Sequence, residues 1–149
     1  MDYGILGKAA EHFIENGAFL SVRGGNEVNA MTISWGFFGF IWQKPHFIAL
    51  VRPQRHTKKI IDAADSYTVS LPIGCMKDEL AKCGSLSGKD TDKSKIVTFA
   101  PSKLISSPII KGCQIYIECK IVYKDRFEKE ALPESIKNNF YKDDFHHTY

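Results

Sequence analysis

Two stretches of this chain carry residue types that could recognise a flat ring with an anionic tail. Residues 29–36 form a strand-like run of amides, hydroxyls and one tryptophan. Residues 51–57 place two guanidinium groups and a threonine where a strand gives way to a helix. Hydrogen-bonding groups along a strand suit the polar edge of a ring, and guanidinium groups suit an anion. Together the two stretches indicate a site for a planar, polar-edged and negatively charged ligand.

The anionic part of the ligand could bind at the start of the predicted helix over 57–64. A helix N-terminus offers unpaired N–H groups and a partial positive charge, which makes it an anion site. Thr57 is predicted to cap this helix, and Arg52 and Arg55 precede it. Such a cradle would contain hydrogen-bond donors only, as a dianion requires. The alternative, a surface helix with a capping threonine and two solvated arginines, stays open at this point.

The ring could lie along residues 29–36. Thr32 and Ser34 alternate along the strand, so they could meet one edge of a flavin, while Trp35 could form a wall or fill the core. Ordinary amphipathic strands also use threonine and tryptophan, so a strand without a ligand is the alternative. The aromatic residues within 37–40 favour a polar pocket with apolar walls. With the anion site, this suits flavin mononucleotide (FMN) better than a protein or nucleic acid.

A third stretch, residues 83–93, is rich in glycine and serine and contains two lysines. Small side chains let the backbone approach a ligand closely, and a lysine near a flavin could stabilise its reduced, anionic form. Most loops of this composition bind nothing, so the pattern is ambiguous by itself.

Helices and strands must bring these stretches together. The pattern predicts helices over 7–16, 57–64, 77–83 and 92–99, and strands over 18–23, 27–33, 46–52, 66–71 and 113–123. Gly24, Gly25 and Asn26 separate the first two strands and indicate a β-hairpin. The sum is a mainly β, barrel-like fold with inserted helices, and residues 1–149 are expected to form one domain.

The composition excludes several classes of protein. A hydrophobic fraction of 44% with 25% charged residues is typical of globular proteins, and a net charge of +3 does not indicate nucleic-acid binding. The longest apolar stretch is too short for a membrane helix, and the N-terminus lacks signal-peptide features. A cytoplasmic protein without membrane or nucleic-acid partners is therefore expected. The four cysteines contain no C-x-x-C pair and are expected to be free thiols.

At this point the motifs resemble those of the flavin reductase-like family, in particular its flavoredoxin-type members. They are Asn-x-Met-Thr-x-Ser-Trp-Gly at 29–36, Val-Arg-Pro-x-Arg-x-Thr at 51–57 and Cys-Gly-x-x-Ser-Gly-Lys-Asp-x-Asp-Lys at 83–93. Their order and spacing are those of the family, and the similarity extends from Lys8 to Thr148. The resemblance implies an FMN-binding split β-barrel with Greek-key-like connections. Such proteins are usually homodimers with flavin sites near the subunit interface.

The resemblance also assigns the cofactor contacts. The residues expected to line the isoalloxazine ring are Asn29, Ala30, Met31, Thr32, Ser34 and Trp35. Those expected to hold the phosphate are Arg52, Arg55 and Thr57. Those expected to close over the cofactor are Cys83, Ser87, Gly88 and Lys93. Lys93 is also the expected stabiliser of negative charge near the ring, and no side-chain acid or base is predicted because the cofactor supplies the chemistry.

Two departures from the family pattern affect these expectations. Gln54 and His56 stand where a serine and an aromatic residue are expected, which removes one hydroxyl from the phosphate site. The chain also stops at Tyr149, so the family's C-terminal strand is predicted to be absent, leaving an edge that a dimer partner could cover. Residues 143–147 contain two aspartates and two histidines, but a frayed terminus is the simpler interpretation, and no metal site is predicted.

The predicted function is an FMN-binding oxidoreductase that passes hydride from NAD(P)H to flavin and electrons onward to an unidentified acceptor. The first alternative is a flavoredoxin-like FMN electron carrier without efficient NAD(P)H turnover. The second is a flavin-free binding module that uses a basic patch of Arg52, Arg55, Lys58 and Lys59.

Overall fold

The structure is a computed structural model that describes residues 3–141, 145 and 147–149, without the side chains of Tyr3 and His147. The helices are α1 (Tyr3–Asn16), α2 (His56–Asp62), α3 (Lys77–Ser85) and α4 (Glu134–Phe140). The strands are β1 (Ala18–Gly24), β2 (Glu27–Ile33), β3 (Gly36–Ile41), β4 (Lys44–Val51), β5 (Ser66–Leu71), β6 (Phe99–Ala100), β7 (Ile109–Ile110), β8 (Ile115–Lys120), β9 (Asp125–Arg126) and β10 (His147–Thr148). The prediction of a mainly β fold with inserted helices is confirmed.

The strands of the described residues form two larger antiparallel sheets and one small pair. The first sheet has the order β2-β1-β5-β8 and the second the order β3-β4-β10-β9, while β6 pairs with β7. The predicted hairpin at residues 24–26 joins β1 to β2, with Gly24 opposite Glu27. The first sheet therefore carries the stretch predicted to bind a ring, at the end of β2, and the second carries the arginine stretch just after β4.

A shared apolar core holds the two sheets together. Leu20 and Val69 of the first sheet and Ala49 of the second are fully buried in one cluster. Tyr67 lies in the same cluster, and its hydroxyl donates to the carbonyl oxygens of Phe47 at 2.7 Å and Tyr149 at 3.1 Å. A buried hydroxyl requires such partners. Both acceptors lie on the side of the second sheet, since Phe47 belongs to β4 and Tyr149 follows β10. This core fixes the distance between the ends of β2 and β4.

Strand β3 is one of the elements that the sequence pattern failed to predict, together with α4, β6, β7 and β9. It pairs with β4 from Gly36 opposite Ala49 to Ile41 opposite Lys44. The connecting residues Trp42 and Gln43 have φ values of 50° and 58°. Positive φ at both central residues is the type I′ arrangement, which usually contains asparagine or glycine. A Trp-Gln turn carries neither residue, so the hairpin had no local turn signal.

Between residues 92 and 123, the two predicted elements differ from those observed. Asp92 caps a turn as expected, since its Oδ1 accepts a hydrogen bond from the Ser94 amide at 2.9 Å. The prediction that a helix follows it through Phe99 is wrong, because only a 3₁₀ turn over Lys93–Lys95 forms. Phe99 instead begins β6, whose pairing with β7 replaces helical hydrogen bonds. The strand predicted over 113–123 is shorter and covers Ile115–Lys120.

The C-terminal strand, predicted to be absent, is present over two residues. His147 pairs with Val51 and Thr148 with Leu50, both antiparallel. The amide of Tyr149 donates to the Ala49 carbonyl at 3.1 Å, and the Ala49 amide donates back over the same distance. The backbone edge of β4 supplies these partners, which explains why even a short segment forms a strand.

Two predictions of absence concern the described residues only. Across residues 3–141, 145 and 147–149, no helix combines the length and apolarity that a membrane crossing requires. The cysteines at positions 75, 83, 113 and 119 are all free, as the sequence predicts.

Candidate functional site

A cleft of roughly 280 Å³ lies where the ends of β2 and β4 meet the start of α2. The residues that line it are Met31, Thr32, Ile33, Ser34, Trp35, Leu50, Arg52 and Arg55. Six of these belong to the predicted cofactor contacts, so the structure brings the first two sequence stretches into one cleft. The other two, Ile33 and Leu50, were missed. Leu50 stands two residues before Arg52 in extended backbone, so the strand period of two could have identified it.

The outer end of the cleft is aromatic. Trp35 remains 39% exposed, and its carbonyl oxygen accepts a hydrogen bond from the Leu50 amide at 3.3 Å. The guanidinium carbon of Arg52 lies 5.7 Å from the Trp35 ring centroid, within cation–π range. Arg52 thus faces an aromatic ring and lines the cleft at the same time.

The last turns of α3 bind side chains from both cleft-forming stretches. The Thr32 hydroxyl donates to the Leu80 carbonyl at 2.6 Å. Nη1 of Arg55 donates to the Gly84 carbonyl at 2.8 Å. Carbonyl groups in the final helical turn lack intrahelical partners. Arg55 supplies the missing hydrogen-bond donor for the Gly84 carbonyl. These contacts attach the third sequence stretch, which begins at the end of α3, to the cleft wall.

Lys93 completes this attachment from within the loop. Its side chain is buried, and Nζ donates to the carbonyl oxygens of Cys83, at 3.2 Å, and Leu86. Burial lowers the pKa of Lys93, the Cys83 thiol raises it and the charge of Arg55 lowers it further. Burial also raises the pKa of the Cys83 thiol, against the opposing effect of the lysine charge. Lys93 does not line the cleft itself, and its contribution to charge near a ring stays a prediction.

Thr57 does not cap α2, which corrects the sequence prediction. The residue at the N-cap is Arg55, and no side chain accepts a capping hydrogen bond there. The Thr57 hydroxyl, 1% exposed, instead accepts a hydrogen bond from Nδ2 of Asn29 at 2.9 Å. A Cβ atom on Gly88 would lie 2.4 Å from Oδ1 of Asn29, so only glycine allows this approach of the loop. Buried Asn29 and Thr57, with half-buried Gly88 against them, therefore form one junction between the three stretches.

The two remaining predicted contacts lie away from the cleft. Ala30 is fully buried in a second apolar cluster that also contains Cys83 and Ile110. Ser87 is exposed, and its hydroxyl accepts a hydrogen bond from the Lys89 amide at 3.2 Å, within the loop. Ala30 packs behind the cleft, and Ser87 shapes the turn that carries Gly88.

Three of the four cations of the predicted basic patch bind within the chain. Nη2 of Arg52 donates to the Phe140 carbonyl at 2.8 Å, Arg55 binds Gly84, and Lys58 pairs with a carboxylate one helical turn later. Lys59 is exposed. Internal partners reduce what such a patch offers to a polyanion.

No metal site is found among the described residues, since no group of three histidine, cysteine, aspartate or glutamate side chains could hold an ion there. The aspartates and first histidine of the C-terminal run, Asp143, Asp144 and His146, lie outside the described residues.

Solved structures with the same fold include flavin-associated proteins. The flavoredoxin of Methanosarcina acetivorans matches with a TM-score of 0.68 and 21% identity over 89% of this chain and 63% of its own. An FMN-binding protein of Thermus thermophilus with bound 1-cyclohex-2-enone matches at 0.69 and 22% over 89% and 64%. The NADH:FAD oxidoreductase of Streptomyces globisporus, in complex with NAD and FAD fragments, matches at 0.65 and 16% over 89% and 70%. The fold is therefore that of the flavoredoxin and flavin reductase-like barrels.

Two curated relatives come from archaea. An uncharacterized protein of Archaeoglobus fulgidus is 30% identical over 108 residues, which are 70% of this chain and 59% of that protein. One of Pyrococcus abyssi is 28% identical over 105 residues, covering 69% of this chain and 60% of that protein. The chain thus spans 59–60% of the length of these relatives.

One family model covers most of the chain. Residues 11–131 fit the family model described as a flavin reductase like domain. This range contains the three sequence motifs, all residues that line the cleft and the junction of Asn29, Thr57 and Gly88. The chain belongs to the flavin reductase-like family.

Proposed function

We propose that this chain is a single-domain, FMN-binding oxidoreductase that takes electrons from NAD(P)H and passes them to a further acceptor. The observation that carries the proposal is the cleft in which hydroxyl groups, an indole and the exposed guanidinium group of Arg55 lie together. Membership of the flavin reductase-like family supports the flavin, and the NADH:FAD oxidoreductase among proteins of the same fold supports a nicotinamide donor.

The residues present fit a flavin with a phosphate tail. The Thr32 hydroxyl donates to Leu80 and keeps its lone pairs to accept from a ring N–H. Arg55 uses Nη1 for Gly84 and has further N–H groups that suit a phosphate. The Thr57 hydroxyl accepts from Asn29 at the buried junction behind the cleft and keeps its own proton to donate. The cleft thus combines an acceptor for the ring edge with donors for the tail.

The bound flavin would supply the two-electron chemistry, and the protein would supply position, charge and exclusion of water. Trp35 and Met31 provide apolar surface at the cleft wall. Arg55 and the nearby buried Lys93 provide positive charge that favours a negatively charged ring. No side chain is required to transfer a proton.

Visible absorption of the purified protein, measured before and after addition of FMN and desalting, tests the cofactor. We expect flavin bands that survive desalting. A colourless protein that fails to retain FMN would contradict the proposal and favour a flavin-free binding module, which predicts salt-sensitive affinity for polyanions through exposed cations such as Lys59.

A flavoredoxin-like electron carrier is the second candidate, because flavoredoxins of Methanosarcina acetivorans and Desulfovibrio vulgaris share the fold. The two functions share a binding site and differ in their reaction with NAD(P)H. Anaerobic stopped-flow mixing of the FMN-loaded protein with NADH or NADPH separates them. Bleaching of the flavin band supports the reductase. A flavin band that stays unbleached over minutes supports the electron carrier.

We also propose that the chain acts as a homodimer. The cleft of roughly 280 Å³ leaves Trp35 39% exposed, so a second subunit has room to cover it. The β3–β4 hairpin exposes Phe37, Phe40, Ile41 and Trp42, four large apolar side chains close together in sequence. Exposed apolar side chains concentrated on one hairpin favour an interface there.

A further inference from the structure

Helix α4 is held in place by contacts with residues of the cleft, Arg52 and Trp35, and has no buried face of its own. None of its seven residues, Glu134–Phe140, is buried. A two-turn helix without a buried face gains little from packing and is marginal by itself. The contacts that locate it must therefore lie at its ends, and those described below lie at its C-terminal end.

Arg52 makes the central contact at that end. Its Nη2 donates to the Phe140 carbonyl at 2.8 Å, which satisfies a C-terminal carbonyl of α4 with a cation. Its guanidinium carbon also lies 5.3 Å from the Tyr141 ring centroid and 5.7 Å from that of Trp35. The planar group thus lies between an aromatic ring of the segment and one of the cleft.

A direct aromatic contact reinforces this arrangement. The Phe140 ring packs edge-to-face on Trp35, with centroids 5.4 Å apart and an interplanar angle of 85°. Tyr141 is buried, whereas Phe140 and Trp35 remain partly exposed. Such pairs add about 0.5–1.5 kcal/mol beyond burial of their area. The end of α4 therefore covers one side of Trp35 at the mouth of the cleft.

We infer that Arg52 is a positioning residue that holds the end of α4 over Trp35, and that this segment restricts the size of the second substrate reaching the cleft. Arg55 and Thr57 would then bind the phosphate, because the Arg52 guanidinium group already donates to the Phe140 carbonyl and contacts two aromatic rings. The statement on substrate size rests on the proposed flavin function. The statement on Arg52 does not, since it is argued from the contacts with Phe140, Tyr141 and Trp35.

Quenching of Trp35 fluorescence by acrylamide tests the position of the segment. The chain contains two tryptophans, so Trp42→Phe leaves Trp35 as the single reporter. In that background, on the full chain before flavin is added, Arg52→Gln should raise the quenching constant by about twofold as the cover loosens. Phe140→Ala, at a partly exposed position, should do the same if the Arg52 variant folds poorly. Unchanged quenching in both variants would overturn the inference.

Arg55→Gln is the matched control. Arg55 also lines the cleft and also donates to a carbonyl, but its acceptor is Gly84 rather than α4. It should leave Trp35 quenching unchanged and raise the FMN dissociation constant relative to riboflavin by about tenfold or more. Arg52→Gln should leave that ratio unchanged. A selective loss of FMN in Arg52→Gln as large as that in Arg55→Gln would show that Arg52 binds the phosphate.

Acceptor size tests the second half of the inference with FMN-loaded, photoreduced protein. Reoxidation by a small acceptor, 1,4-benzoquinone, should change little in Phe140→Ala, whose side chain does not line the cleft. Reoxidation by the bulkier anthraquinone-2-sulfonate should speed up by about fivefold or more if the segment limits access. Equal effects on both acceptors would overturn the size restriction. Failure of the wild-type chain to retain FMN would instead refute the proposed function, while Trp35 quenching would still decide the position of Arg52.

Discussion

At the scale of single residues, Arg55 and Thr57 are the groups on which phosphate recognition depends. Arg55→Gln and Thr57→Val should weaken FMN by about 1.5–3 kcal/mol each, the value of a hydrogen bond to a charged group. Riboflavin lacks the phosphate, so its affinity should change little. Titration of flavin fluorescence with both ligands measures the difference.

The control for Thr57 is Thr57→Ser, which keeps the hydroxyl that accepts from Asn29. It should retain most of the affinity for FMN. Thr57→Val should also lower the free energy of unfolding by about 1–3 kcal/mol, because the buried Asn29 amide loses its acceptor. Equal losses of FMN and riboflavin in Thr57→Val would mean that the ligand's tail lies elsewhere.

Thr57 shows what the sequence can and cannot predict about a residue. The local pattern singled out Thr57 as a helix cap and a phosphate donor, because threonine is a preferred residue at helix starts. The pattern assigned it to a helix cap, because capping depends on neighbours in sequence. Its actual partner, Asn29, lies 28 positions away. Only the fold brings β2 next to the start of α2.

At the scale of elements, the β3–β4 hairpin is the surface on which the proposed dimer depends. Phe40 is 70% exposed, and a glutamate there would place a charge in an apolar interface. Phe40→Glu should raise the dimer dissociation constant by about tenfold or more. Light scattering coupled to size-exclusion chromatography would measure the mass at several concentrations.

Ile14→Glu is the matched control for the hairpin variant. Ile14 lies on α1, is 82% exposed and has no place in the proposed interface. It should leave the mass unchanged. A monomeric wild-type chain, or equal dissociation by both variants, would contradict the assignment of the hairpin.

Elements were predictable where composition and period agreed. Ser66–Leu71 was predicted with its observed bounds, because apolar and β-branched residues are bracketed there by turn formers. Strand β3 was not, because its phenylalanines suggested pocket walls and its turn lacks asparagine and glycine. The helix predicted after Asp92 failed for a different reason: Phe99 pairs with Ile110, a contact outside any local window.

At the scale of the whole molecule, buried thiols predict loss of stability at high pH. Burial raises the pKa of Cys113 from 9.0 to about 12 and that of Cys119 to about 11. Both folded values exceed the unfolded value, so the contribution is complete below pH 9 and is lost as the pH rises toward the folded values. The free energy of unfolding should fall by about 1–3 kcal/mol between pH 8 and pH 10. Urea titrations at several pH values measure this slope.

The double variant Cys113→Ala, Cys119→Ala isolates the thiol contribution. Burial lowers the pKa of Lys93, which acts in the opposite direction and makes the fold more stable as the pH rises. Without the two thiols, the downward slope should therefore become flatter. The same slope in the variant and the wild type would show that the thiols are not its cause.

The contacts at the end of α3 have a consequence for cooperativity. Thr32, Arg55 and Lys93 come from three separate sequence stretches, yet all donate to carbonyl oxygens between Leu80 and Leu86. Groups that share one segment couple energetically, so a change at one alters what the other two contribute. A ligand that orders the cleft would then slow hydrogen exchange in α3, even at amides it does not touch. The helix would report occupancy of the cleft at a distance.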